Sequence, residues 1–321
     1  MITVFVHQNG QTRSVDRVEP EWLDPASGAM LWVDLMAPGE AERRLLSEVF
    51  SFHPLAVEDA VSALQFPKIE TYPGYLYVVL HGIDVSKSRQ RAFATRDIDF
   101  FIGSNFLVTV HDGQSTSIAH LRELCDRHDR LLAEGPVGLF HRIVDTMVDH
   151  YRPVMDALEE RIDHMEEEAF AGQGELARRM VKLRHELAQM RRVLMPQRDV
   201  LGRLARREFA AISDEMAYRI RDVYDHVVRL ADEAILFQDR VTGILEVNLA
   251  SISNRLNQVM KVLTVMSTIF LPLTVLSGMW GMNVPLPHFP GGDAAQFWWV
   301  AGIMAAIAVV MLAIFRRNRW M

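Results

Sequence analysis

The chain has 321 residues, half of them apolar, with a formal net charge of -7 and a single cysteine. An acidic balance without a basic stripe of interleaved aromatics excludes nucleic acid as a partner. The lone Cys125 excludes an intrachain disulfide, in keeping with a reducing compartment.

The first residues, "MITVFVHQNG", have neither a basic n-region nor a long apolar core, so no signal peptide is expected. "ITVFVHQ" and "QTRSV" flank Asn9-Gly10, a two-residue hairpin signal. "LWVDL" predicts a short apolar strand and "EAERRLLSEVF" a helix. "GYLYVVLHGID" and "IDFFIGSNFLVTVH" predict strands, the latter turning at Gly103-Ser104-Asn105. Residues 1–118 are therefore expected to form an α/β domain.

Only helical signals follow. "TSIAHLRELCDRHDRLLAEG" is amphipathic and stops at Gly135. "VGLFHRIVDTMVDHYRPVMDALEERIDHMEEEAF" predicts one long helix ending near Gly172. A short Gly-containing turn leads to a second long helix, so residues 119–212 are expected as an antiparallel pair, with Pro196 able to kink its second member. A third helix starts near Asp214 and shows no break before Met282, roughly 100 Å at 1.5 Å per residue. A helix of that length needs partners, so an oligomeric stalk over 213–261 is expected.

Two uncharged runs close the chain, Val262 to Pro287 and Ala294 to Phe315. Each exceeds the roughly 20 residues that cross a bilayer as a helix. The expected division is a first span 262–283, a loop 284–293, a second span 294–315 and a basic tail 316–321. The loop has no Lys or Arg. Arg255 and Lys261 precede the first span, and Arg316, Arg317 and Arg319 follow the second. The positive-inside rule then places both termini in the cytoplasm and the loop outside. Trp298, Trp299 and Trp320 fall near the ends of the second span, where interface aromatics belong.

The second span is apolar all round and suits lipid contact. The first carries a stripe at helical spacing: Asn257, Met260, Thr264, Ser267, Leu271, Thr274, Gly278 and Gly281. Two readings stay open for these mostly small or hydroxylated residues. Such residues line helix–helix contacts in membranes. They also suit a pore wall built from symmetric copies, and Pro272 is compatible with both.

"SNRLNQVMKVLTVMSTIFLPLTVLSGMWGMN" resembles the pore helix of the CorA magnesium channels, with the family signature at Gly281, Met282 and Asn283. "FHPLAVEDAV" at 52–61, "IVDTMVDHY" at 143–151, "RDVYDH" at 221–226 and the basic tail are similar too, so the likeness covers nearly the whole chain. It implies a CorA-like homopentameric funnel: an α+β cytoplasmic domain, long helices and two C-terminal transmembrane helices in the plasma (inner) membrane. Five first spans would line the pore, with Asn257, Met260, Leu263, Leu271, Thr274 and Asn283 at the family's pore positions. Leu263 and Leu271 would close it by dewetting. Mg²⁺ would be both transported and regulatory ion, with Co²⁺ and Ni²⁺ as further cargo, and no organic cofactor is expected.

Mg²⁺ sheds water reluctantly. A filter therefore works better by accepting hydrogen bonds from its hydration shell, which a ring of Asn283 side-chain carbonyls and Gly281 backbone carbonyls would do. Asn283 is also a favoured helix C-cap residue. Many CorA sequences carry an acid soon after the signature, whereas the first one here is Asp293. The resemblance also implies intersubunit regulatory sites, with Asp59 and Asp222 as the main pair and Glu58 and Asp145 as a second. Asp222 stands 35 residues, or five heptads, before Asn257 (257 minus 222). A 3.5 repeat would keep them near one face.

His53, His150 and His164 form no pair at zinc-site spacing, and the run Asp163 to Glu168 reads as a solvated helix end. No phosphate loop or nucleophile–base pair emerges, so an enzyme is not expected. The alternative transporter is a zinc carrier of the ZntB branch, which shares architecture and signature. A membrane-anchored sensor, which would pass no ions, is a third reading.

Overall fold

The computed structural model describes residues 1–62, 65–84, 93–127, 131–171, 176–282 and 289–318. The chain divides into two compact units. One comprises Met1–Glu167 with Glu175–Leu245, and the other Glu168–Gly174 with Glu246–Met321.

The first unit is built on a seven-stranded sheet. Its strands are β1 (Ile2–Gln8), β2 (Gln11–Val15), β3 (Met30–Met36), β4 (Lys68–Tyr72), β5 (Tyr75–Ile83), β6 (Thr95–Gly103) and β7 (Phe106–His111), in the order β2-β1-β3-β7-β6-β5-β4. Asn9 and Gly10 both take positive φ, 55° and 78°. That is the turn the Asn-Gly pair predicts, and it sets the register Gln8↔Gln11. Only β3 and β7 pair in parallel among these neighbours.

Both faces of the sheet are covered, which is why most of β5, and Phe100 to Ile102 in β6, read as continuous apolar runs. On one face Tyr77, Val79, Phe101, Val108 and Val33 pack with Leu46, Phe52, Ala56 and Val57. The last four come from a π-type turn (Leu45–Val49), the following loop and α2 (Pro54–Val61), which succeed a short α1 (Glu40–Arg44). Phe52 stacks on Phe101 at 4.2 Å between centroids. On the other face Phe100 meets Phe140 edge-on at 5.0 Å.

Phe140 lies in α4 (Gly135–Asp149), which follows α3 (Thr116–Arg127). The long helix expected over this region is in fact two, α4 and α5 (Arg152–Ala171). Pro153 in the first turn of α5 has no N–H to donate and disfavours helical backbone just before it. Tyr151 at the break is buried, its hydroxyl donating to the His81 carbonyl at 2.8 Å. α6 (Leu176–Ala205) passes through Pro196 as one helix. α7 runs from Asp214 to Trp280, 67 residues. Gly202 of α6 lies against Tyr224 of α7, so close that an added Cβ would meet the ring at 3.0 Å. Arg161 of α5 donates to the buried Glu186 of α6 at 2.7 Å.

In the second unit the last part of α7 is accompanied by α8 (Gly292–Arg317). Both are long and apolar enough to cross a membrane, and the apolar windows are almost wholly exposed.

Candidate ion pathway and regulatory carboxylates

Along the membrane-length part of α7, Val265 is buried and Ile269, Leu273, Leu276 and Trp280 are partly buried. Partial burial in α8 recurs at Val300, Met304, Ile307, Ala308, Met311 and Phe315. These are the sides of the two helices that are covered within one chain. The stripe lies elsewhere: Asn257, Met260, Leu263, Thr264, Ser267, Leu271, Thr274 and Gly278 are all exposed, as are Gly281 and Met282. Within one chain the small and hydroxylated residues are not used for packing. Exposure does not single out this stripe, because Val262, Met266 and Phe270 are exposed too. Its chemistry does.

The hydroxyls point that chemistry. Thr264 donates to the Met260 carbonyl at 2.7 Å and Thr274 to the Phe270 carbonyl at 2.8 Å. With the proton spent inside the helix, each Oγ1 keeps lone pairs for outside donors. Such a surface is able to accept hydrogen bonds from water. At the far end, the Gly281 N–H donates to the Ser277 carbonyl at 3.0 Å, and an added Cβ would lie 3.3 Å from that carbonyl oxygen. Asn283 lies outside the described residues. Trp280 stacks on Phe289 at 6.1 Å and Phe289 on Trp299 at 5.8 Å, joining the ends of the two apolar helices. Sequence reading assigns Trp299 to the interface and misses the stack, which depends on where Phe289 folds back.

The regulatory candidates fall in two neighbourhoods of the first unit. Asp145 on α4 is half-buried and Asp222 on α7 exposed. Burial raises the Asp145 carboxyl above its ordinary range, and the charges of Asp149 and Asp222 add to the rise, while His141 and His226 oppose it. Asp145, Asp149 and Asp222 thus form an acid-rich spot, with His141, His226 and Arg142 as the cationic groups close enough to act on Asp145 or be acted on by it. Beside it a hollow of about 350 Å³ is lined by Asp149, Arg152, His226, Arg229 and Glu233, with Arg152 donating to Glu233 at 3.0 Å. Among the described residues no group of three or more His, Cys, Asp or Glu is arranged to hold a metal ion.

Asp59 belongs to the second neighbourhood. It is on α2 beside the exposed Glu58, and its carboxylate accepts from Lys68 of β4. Lys68 also donates to Glu70 at 3.0 Å and lies 5.2 Å from the centre of the Tyr77 ring. The Tyr77 hydroxyl donates to the buried Asp99. Sequence reading names Asp59 and misses Lys68.

A soluble α/β unit, long helices and two apolar C-terminal helices, one bearing an exposed stripe of oxygen-bearing and small residues, define a membrane transport protein. A family model described as "CorA-like Mg2+ transporter protein" matches residues 27–317, and the chain belongs to that family. It is accordingly a divalent-cation transporter, of a family of transporters and not of enzymes. YfjQ of Bacillus subtilis, named as a metal ion transporter, is 33% identical over 98% of this chain and 95% of its own length. The cobalt/magnesium transport protein CorA of Thermotoga maritima is 30% identical over 86% of this chain and 79% of its own. The complete structure of the CorA magnesium transporter from Methanocaldococcus jannaschii superposes with a TM-score of 0.84 at 21% identity, covering 100% of this chain and 99% of that one.

Proposed function

We propose that this chain forms a homopentameric channel in the plasma membrane that imports Mg²⁺, and with it Co²⁺ and Ni²⁺. Both termini would be cytoplasmic. The observation that carries the reading is the exposed stripe of α7 leading to Gly281, Met282 and Asn283. Five copies around an axis would turn exposed threonine oxygens inward, with Leu263 and Leu271 as apolar constrictions. Support for the cargo comes from relatives named for cobalt and magnesium transport in Thermotoga maritima and Methanocaldococcus jannaschii, and for magnesium transport in Saccharomyces cerevisiae. The membrane potential supplies about 2.3 kcal/mol per charge per 100 mV, twice that for a divalent ion.

Regulation is assigned to cytosolic Mg²⁺ bridging carboxylates of neighbouring subunits: Asp59 with Asp222, and Glu58 with Asp145. Their oxygens are the hard donors this ion takes. Around Asp145 the charges of Asp149 and Asp222 push its carboxyl toward the neutral form, a mutual repulsion that a divalent cation would relieve. Carboxylates that repel across an empty interface would push subunits apart, and a shared cation would draw them together.

The test is flux in proteoliposomes across Mg²⁺, Co²⁺, Ni²⁺ and Zn²⁺, with and without a proton gradient. Mg²⁺ uptake without proton coupling is expected. Proton-dependent Zn²⁺ uptake with no Mg²⁺ flux would replace this reading by a zinc carrier, and no flux of any ion would favour a sensor. Asn283→Ala should abolish Mg²⁺ uptake while the oligomer still assembles, and unchanged transport refutes the filter. Asp222→Ala should weaken closure by millimolar internal Mg²⁺. Inhibition identical to the native channel removes Asp222 from the brake.

A further inference from the structure

Asp59 is not a bare carboxylate waiting for a metal. Lys68 reaches it across the edge of the sheet, from β4 to α2. Two further contacts hold the same ammonium: Glu70 accepts from it at 3.0 Å, and the Tyr77 ring lies 5.2 Å away. Glu70 is itself held, accepting from the Tyr72 hydroxyl at 2.9 Å. Lys68 and Asp59 are each about 30% exposed in their side chains (27% and 31%), so an incoming ion can reach the carboxylate.

We propose that Lys68 is a resident counter-cation of Asp59, competing with the divalent ion for that carboxylate and so setting the concentration at which the regulatory site fills. This rests on the reading that Asp59 is a regulatory ligand. A hard divalent ion and an ammonium bid for the same oxygens, and the ammonium is tethered. Glu70 and the Tyr77 face give Lys68 a place to stay when Asp59 turns to a metal, because both already touch it. The side chain then need not enter water to release Asp59. Without Lys68, Asp59 and Glu70 face each other's charge unrelieved, and the ion that fills the gap binds more tightly.

The experiment is Mg²⁺ titration of the full-length protein in detergent, read as protection from limited proteolysis. Lys68→Gln should lower the half-protecting Mg²⁺ concentration by about threefold or more, the scale of a partly exposed charge pair acting on a divalent ion. Lys68→Met should do the same, and Lys68→Arg, which keeps the charge, should stay near the native value. Asp59→Asn is the control and should raise the concentration. If Asp59→Asn shifts the curve while Lys68→Gln and Lys68→Met leave it unchanged or move it upward, competition is overturned and Asp59 stays a ligand. If Asp59→Asn behaves as native, the regulatory reading fails and the proposal with it.

Discussion

Helix α7 has two halves that answer to different solvents. Between Asp214 and Leu245 its buried positions Ile220, Val223, Val227, Leu230, Ala234, Phe237 and Val241 recur at helical spacing. Several of its charged side chains there find partners, as Arg240 does with Asp163 and Glu166 on α5. Between Glu246 and Trp280 the pattern inverts. Leu256, Val262, Leu263, Met266, Phe270 and Leu271 are all exposed, and from Val262 onward no charge remains. One helix thus follows the rule for water in its first half and for lipid or a pore in its second. Exposure of an apolar side chain has opposite meanings in the two halves, and only composition tells them apart.

The sharpest break in the comparison comes from a buried acid on the water-facing side. Burial pushes the Asp99 carboxyl up to about 8, with the hydrogen bond from Tyr77 pulling the other way. The unfolded chain releases that proton near its ordinary value of about 3.9. Between those values the folded chain holds a proton the unfolded chain has lost, so stability falls as pH rises from about 4 to about 8. The slope is at most about 1.4 kcal/mol per pH unit. Asp99→Asn should flatten the dependence of Tm on pH between 5 and 8 and gain most at pH 8. A variant with the native slope removes Asp99 from the account.

The next test uses two valines of nearly equal exposure, Val309 of α8 at 65% and Val181 of α6 at 62%. Val309→Arg places a charge inside an apolar span, a cost of up to about 2.5–3.5 kcal/mol, the value insertion scales give at a span's centre. The yield of membrane-integrated protein should drop several-fold. Val181→Arg should stay within about 0.5 kcal/mol of native stability, as surface changes do. Equal yields from the two variants would mean that α8 is not in lipid.

How far these features are legible in the sequence depends on how local they are. The Asn9-Gly10 hairpin is read correctly because two residues decide it. The stripe of α7 is readable because helical period alone places Asn257, Thr264 and Gly278 on one side. The break at Tyr151 is not, since apolar spacing runs on through it and Pro153 also fits a helix's first turn. The strand β4 carries Lys68 and Glu70 within five residues and has no apolar alternation to announce it. The parallel pairing of β3 with β7 joins segments some 75 residues apart, as in Asp34↔Thr109. For the same reason the sequence names Asp59, Asp145 and Asp222 but gives neither Lys68 beside the first nor the common neighbourhood of the other two.

The smallest effect separates paired charge from buried surface within the first half of α7. Arg240 donates to Asp163 at 2.6 Å and Glu166 at 2.9 Å, with both carboxylates well exposed to water and the arginine partly so. Both carboxylates hold the guanidinium charged, hydrogen bonds first. In water such a network gains little, because the Coulomb attraction is screened and long side chains lose freedom. Arg240→Ala should cost no more than about 1 kcal/mol, and the difference from the native protein should shrink as salt is raised toward 1 M, where the Debye length is about 3 Å. A larger loss that ignores salt would mean the arginine's aliphatic stem packs between the helices and works as apolar surface. In that case the first half of α7 would depend on buried area even where its sequence shows charge.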